Sequence, residues 1–445
     1  MITISILANF LSINSDEIEE FSAVTTKDGD TIYIKLKKKS CNCTHCHSSH
    51  VRFKEYRTRI IKHALFLNKK TTFVLKNRKY QCLECGKSFM EPNGFAPKRS
   101  RASYETIYTV LNASQKYNAT WKEIGEKAHI SDTAAIDIFD RFVNFKRGVL
   151  PRVLSIDECY NKHQFNKAYS CIFFDFLKTK IVDIIEDRSK YNLSVYFNKI
   201  TKEERENVEY VVIDMWEPYL DIATLFFPKA VVAIDSFHVI KNIGYALDLV
   251  RRRVMSYCPK KTREYYLLKK WNDTLFKEYK SWEEKFKVKG LGGRWFNRYQ
   301  IQQMILQIHP DLRTAHDFYA YYKRRNANTE YEGASNLLDD VINDKEIIKI
   351  DEFIPVLEML ANWKKWIINS FIKVDDRRLS NGPIEGFNSN FKKMMTVSNG
   401  LYSFFRFRNR LMFCYNKPNT LIPVEERIIK RPRKKRGTYK KPGNQ

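Results

Sequence analysis

Asp157, Asp214 and Glu385 are the residues whose type and setting point to chemistry. Asp157 closes the apolar run Val153-Leu154-Ser155-Ile156, and Asp214 closes Val208–Ile213. Glu385 sits in Ser380-Asn381-Gly382-Pro383-Ile384-Glu385-Gly386-Phe387-Asn388, where Gly382 and Pro383 make a turn before a helix. Two Mg²⁺ ions about 4 Å apart can activate a water or a 3′-hydroxyl and stabilise the leaving oxygen of a phosphodiester. Such hard ions take carboxylate oxygens held on rigid elements. Two strand-end aspartates and one acid from a later helix supply that set. Taken singly, each aspartate is equally a strand-end cap, and Glu385 is equally an acid favoured by the helix dipole. Their occurrence together and in this order favours the functional reading, with Glu158 and Asp235 as the nearest competitors.

A second constellation is built from thiols. Cys43-Thr44-His45-Cys46 and Cys82-Leu83-Glu84-Cys85 are two CxxC pairs with 35 residues between them. Two such pairs close one tetrahedral Zn²⁺ site, which is structural because no position stays open. The wide gap predicts a zinc ribbon, with Thr71–Leu75 and Arg78–Gln81 as short strands leading into the second pair. Gly86 follows that pair, where the turn needs a permissive backbone. Cys41, His45, His47 and His50 crowd the first pair, so one of them is an alternative to Cys43 or Cys46. Nine cysteines in 445 residues do not make a disulfide framework.

The elements that must position the acids can be read from pattern. Val153–Glu158, Tyr169–Phe176 and Lys180–Ile185 read as a three-strand meander. Val208–Ile213, a helix over 218–227, and Ala230–Ile234 follow, the last ending in Asp235-Ser236-Phe237-His238. This order, β-β-β-α-β-α-β-α, is that of an RNase H-like fold. Upstream, apolar residues Ile107, Val110 and Leu111 in 103–116 have helical spacing. Thr120 with Glu123 forms a capping box, and Ser131 caps a third helix to about Phe145. Three such helices read as a helix-turn-helix, although Asp132, Asp137 and Asp140 lie on the third helix, so any DNA contact there avoids them.

With these motifs in order, the chain resembles the zinc-ribbon, helix-turn-helix DDE transposases of bacterial insertion sequences, specifically the ISL3 family. The residues that carry the resemblance are the four cysteines, Ser155-Ile156-Asp157-Glu158, Val212-Ile213-Asp214-Met215-Trp216, Asp235-Ser236-Phe237-His238-Val239, and the segment from Ser380 through Asn388. It implies a catalytic triad of Asp157, Asp214 and Glu385 holding two Mg²⁺, for which Mn²⁺ substitutes. It also implies supporting roles for Asp235, His238 and Asn388, and a structural Zn²⁺ on Cys43, Cys46, Cys82 and Cys85. The 170 residues between Asp214 and Glu385 exceed what a bare RNase H-like domain needs. They imply an insertion rich in helical patterns (265–279, 296–308, 312–325 and 353–372).

The expected architecture is therefore multidomain α/β, an RNase H-like catalytic core interrupted by an all-α insertion and preceded by a zinc ribbon and a helix-turn-helix. Its parts are 1–100 with the zinc ribbon, 101–148 as the helix-turn-helix, 149–249 and 376–420 as the two parts of the core, 250–375 as the insertion, and 421–445 as a basic disordered tail.

Charge agrees with a polyanionic partner. Lys and Arg number 78 against 51 Asp and Glu, a net charge of +27. Hydrophobic residues make up 43% of the chain, which excludes wholesale disorder. Candidate DNA-path residues are Arg251, Arg252, Lys392 and Lys393, together with Arg433, Lys434, Lys435 and Arg436 in a tail that carries nine Lys/Arg and no acid from Arg427 onward. No apolar run approaches the roughly 20 residues that span a bilayer, and the expectation is a cytoplasmic, nucleoid-associated bacterial protein without membrane partners. Three functions share these features: a transposase that binds, cuts and joins the ends of its element, pairing two ends as at least a dimer; a non-catalytic transposase-derived regulator; and a structure-specific nuclease. The third does not need the N-terminal modules.

Overall fold

The computed structural model describes residues 14–66, 69–98, 100–161, 165–397 and 403–418. It divides into two compact units, one made of 1–146 with 392–445 and the other of 147–391. The proposed tail contacts Arg433, Lys434, Lys435 and Arg436 lie outside the described residues.

The first unit begins with a sheet. Strands β1 (Ile18–Thr26) and β2 (Gly29–Leu36) form a hairpin, and β2 runs parallel to β4 (Lys69–Cys82). Strand β3 (Val51–Phe66) pairs antiparallel with β4, and short β5 (Ser88–Met90) adds to β4. At Gly29 the backbone has φ 145° and a Cβ would meet the Lys70 carbonyl oxygen at 2.3 Å, so this turn needs glycine. The two short strands expected at 71–75 and 78–81 are one continuous strand. The polar residues between them have partners: Asn77 donates to the Glu91 carbonyl, and Arg78 pairs with Glu19 and Glu91. Ile32, Ile34, Ile61, Phe73 and Leu75 form the core beneath, with Ile18, Phe95 and Ala96.

Three helices follow, α1 (Tyr104–Ser114), α2 (Trp121–Ala128) and α3 (Asp132–Phe142). The second and third start at their expected caps, Thr120 in a reciprocal box with Glu123 and Ser131, and the first is capped by Ser103, at the start of its expected helical stretch. Helix α3 stops three residues before the expected Phe145. Val143 is extended there, and the Asn409 side chain accepts from the Phe145 amide and donates to the Val143 carbonyl. Asn409 lies on a helix near the other end of the chain, Phe404–Asn416, which completes this module. Phe413 enters the cluster of Ile107, Leu111, Phe139 and Val143. Arg406 grips both oxygens of Asp140 at 2.9 and 2.6 Å. Arg410 is buried over the Trp121 ring, 4.6 Å from its centroid. The expected second part of the core, 376–420, therefore divides, because the apolar face of this last helix is satisfied by α1 and α3. Phe413→Ala should destabilise the module by about 3 kcal/mol, since it empties a closed aromatic site. Thermal unfolding of the full chain measures this, and an unchanged melting profile would contradict the packing.

The second unit holds a five-stranded sheet. Strands β6 (Val153–Tyr160), β7 (Tyr169–Asp175) and β8 (Lys180–Ile185) make the antiparallel meander. After α4 (Lys190–Asn198) and α5 (Lys202–Glu206) comes β9 (Tyr210–Ile213), parallel to β6. Helix α6 (Glu217–Phe226) leads to β10 (Val231–Ile234), parallel to β9, giving the order β10-β9-β6-β7-β8. From β10 the chain enters α7 (Ser236–Ser256), then α8 (Arg263–Lys270), α9 (Arg298–Leu306), α10 (Pro310–Asn328), α11 (Tyr331–Ile342) and α12 (Ile354–Asn369).

Two corrections apply to the expected all-α insertion domain. Between α8 and α9 the chain makes a hairpin of β11 (Phe286–Val288) and β12 (Arg294–Phe296), with Gly292 and Gly293 both at φ 70° in its turn. The region is also not a separate body. One continuous apolar cluster runs from Leu154 and Ile213 of the sheet to Leu312, Leu337 and Leu360 of the helices. Asn369 at the end of α12 donates to the Val232 carbonyl of β10 at 2.7 Å. A last hairpin, β13 (Lys373–Val374) with β14 (Arg377–Arg378), precedes α13 (Gly382–Val397). No helix among the described residues is long and apolar enough to cross a membrane.

Candidate active site

Strand direction brings the acids together. Strands β6, β9 and β10 run parallel, so their carboxyl ends share one edge of the sheet. The β6–β9 pairing ends at Ser155 and Val212, while β6 continues to Tyr160 against β7 alone. Asp157 thus lies just past the parallel pairing on a strand still held on its other side. Asp214 follows β9 directly. Asp235 follows β10, accepts from the Phe237 amide as N-cap of α7, and donates its own amide to the Ile213 carbonyl at 2.9 Å.

The resulting contacts are specific. Carboxylate oxygens of Asp157, Glu158 and Asp214 lie within 4.8 Å of one another, and so do ligand atoms of Asp214, Asp235 and His238. His238 Nε2 stands 3.0 Å from Asp214 Oδ2. Burial pushes His238 down to about 4, so near neutral pH the ring is uncharged. Asn388 donates to Asp157 Oδ2 at 2.8 Å, and Asn381 to Asp214 Oδ1 at 3.2 Å and to the Ile156 carbonyl. Burial pushes Asp157, Asp214 and Asp235 above the ordinary carboxylate range and outweighs the hydrogen bonds they accept; neighbouring acids add to it, Asp157, Glu158 and Asp235 at Asp214, Glu158 and Asp235 at Asp157, and Glu385 at Asp235.

Glu385 occupies the first turn of α13 and is exposed; it stands outside both close clusters, near enough to Asp235 to help raise it. Asn388, three residues on and so on the same helix face, is the α13 residue that reaches Asp157. Lys392 and Lys393 are exposed further along α13. Arg252 is exposed and pairs with Asp248 at 2.6 Å. Arg251 is a correction to the proposed DNA path. It is buried, paired with Asp248 and donating to the Leu268 carbonyl, because its position on α7 faces the helical core. Sequence reasoning gave no role to Asn381 or Arg188. Asn381 had a signal in the quoted motif, whereas Arg188, which pairs with Glu158, had none.

The four cysteines also meet. Cys43 Sγ lies 3.6 Å from Cys85 Sγ, and Cys46 Sγ 3.5 Å from Cys82 Sγ, with no disulfide. A tetrahedral zinc with bonds of about 2.3 Å needs sulfur separations of about 3.8 Å, so the set fits that ion. Cys41 and the three histidines stay outside this group; His50 is exposed and bonds Glu84. Gly86 has φ 69° in the second turn, as that turn requires.

A profile for a family described as a transposase matches residues 154–411, more than half of the chain. The chain belongs to the ISL3 family of DDE transposases. It is similar to the transposase for insertion sequence element IS1557 of Mycobacterium tuberculosis, in strains CDC 1551 / Oshkosh and ATCC 25618 / H37Rv, at 29% identity over 115 residues. That stretch is 26% of this chain and spans about a quarter (24%) of those relatives.

Proposed function

We propose that this transposase binds the ends of its mobile element and carries out metal-dependent strand cleavage and strand transfer on an RNase H-like core. The observation that carries the reading is the row of buried acids along one edge of three adjacent parallel strands, Asp157 just past the last β6–β9 pair, Asp214 after β9 and Asp235 after β10. Closely packed carboxylate oxygens, raised first by burial and then by neighbouring charge, suit divalent cations, which would compensate both. Asp157, Asp214 and Glu385 would hold two Mg²⁺ or Mn²⁺, which supply nucleophile activation and leaving-group stabilisation. Asn388 and Asn381 orient the two aspartates. Neutral His238 fixes Asp214 from the other side, and Asp235 ties the start of α7 to the end of β9. The thiol site, read as a zinc ribbon, and the three-helix module, read as a helix-turn-helix, would grip end sequences. Lys392, Lys393 and the basic tail would contact phosphates. Joining two ends requires at least two chains at the moment of reaction.

The testing experiment is nicking of a duplex that carries the element's ends, with and without Mg²⁺. End-specific, metal-dependent nicking is expected. Binding without nicking would instead favour a regulator, and nicking without end preference a nuclease.

The raised acids also set a pH dependence. In the folded, metal-free state they keep protons that the unfolded chain releases near pH ~4. Their contribution to stability is complete below that value and is lost as pH climbs through the raised folded values. The melting temperature of metal-free protein should therefore fall from about pH 5 to about pH 8, and Asp214→Asn should flatten the slope. A parent slope equal to that of Asp214→Asn would refute the assignment.

A further inference from the structure

We propose that Glu158 is a fourth carboxylate of the acidic site and that Arg188, clamped between two aromatic rings, is the positioning residue that aims it. This rests on the metal-dependent reading above. Successive side chains on a strand point to opposite faces, so Glu158 should turn away from the site that Asp157 enters. It does not. β9 stops pairing with β6 at Val212, and beyond that point one oxygen of the longer Glu158 side chain comes within 4.8 Å of carboxylate oxygens of both Asp157 and Asp214.

Arg188 accounts for this pose. It lies between β8 and α4, with its guanidinium carbon 4.1 Å from the Tyr169 ring centroid and 4.4 Å from that of Trp216. Tyr169 opens β7, and Trp216 follows Asp214 by two residues, so the rings belong to the elements that carry the site. Both faces of the guanidinium are occupied, and its edge holds Glu158 Oε1. The other oxygen, Oε2, is shielded from solvent and makes no full hydrogen bond among the described residues, although the Tyr219 hydroxyl lies near the same carboxylate. A shielded charged oxygen short of donors is costly. A divalent cation among the acids would partner it while Arg188 keeps Oε1. The guanidinium is a planar fork that packs flat on rings, which a lysine ammonium cannot reproduce.

The test uses the full chain without DNA, titrated with Mn²⁺ and followed by the electron paramagnetic resonance signal of free Mn²⁺. Glu158→Gln should weaken Mn²⁺ binding about tenfold, in the range seen when groups around a metal are altered. Arg188→Lys keeps the charge but loses the clamp, and should also weaken binding about tenfold. That loss should vanish in the Glu158→Gln background. Far-ultraviolet circular dichroism of each variant verifies the fold. Unchanged affinity in Glu158→Gln, or an equal Arg188→Lys loss in both backgrounds, overturns the proposal. Asp157→Asn separates the two readings: if it binds Mn²⁺ like the parent, the metal reading itself fails; if it loses Mn²⁺ while Glu158→Gln does not, only the role of Glu158 fails.

Discussion

Asp214→Asn should abolish cutting and joining of element ends while leaving end binding intact. Asp214 is buried, bonded by Asn381 and His238, and the most crowded of the acids, since Asp157, Glu158 and Asp235 all raise it. The amide keeps the shape but removes the charge that a divalent cation needs. Loss of one ligand should cost on the order of 10³ in rate or more, because metal ions carry both nucleophile activation and leaving-group stabilisation. Asp157→Asn and Glu385→Gln should behave alike. Gel-based cleavage and joining assays in Mg²⁺ and Mn²⁺, beside a binding measurement on the same duplex, give the readout. Near-normal joining by Asp214→Asn would remove Asp214 from the site, and activity in all three amides would end the two-metal reading. Glu385 is the sharpest case, because its side chain is exposed and outside the close carboxylate clusters. Full activity of Glu385→Gln would transfer the third carboxylate to another acid.

Cys82→Ser should unfold the N-terminal sheet and release bound zinc. Cys82 ends β4, is buried, and lies 3.5 Å from Cys46, so its loss opens the closed thiol set. Cys43 and Cys82 also form a small apolar cluster with Tyr80 and Phe89, so sulfur geometry and local packing fail together. Structural zinc sites contribute on the order of 10 kcal/mol of folding free energy. End binding should fall steeply, while the 147–391 unit keeps its own melting transition. Metal analysis of the purified protein and limited proteolysis provide the test. A zinc content of zero in the parent protein would refute the site.

Much of the candidate site was legible along the chain because its elements have local signatures. The acids after Val/Ile runs, the Thr120 capping box and the paired CxxC turns depend on near neighbours; Asp214 and Asp235 follow their strands directly, whereas Asp157 lies within β6, which continues to Tyr160. The CxxC spacing selected four thiols from a neighbourhood crowded with histidines, because two residues between ligands let one turn present both sulfurs. What only the tertiary structure decided is long-range or directional. Arg251 reads as a surface cation, yet its place on α7 turns it into the core, where Asp248 and a carbonyl satisfy it. The helix carrying Arg406, Asn409 and Phe413 reads as part of the catalytic core, yet Asp140, Val143 and Phe139 hold it in the first unit, some 260 residues away in sequence. Arg188 has no motif at all. Its role follows from two aromatic rings and one carboxylate that come from three different strands or strand ends, and only the folded sheet brings those together.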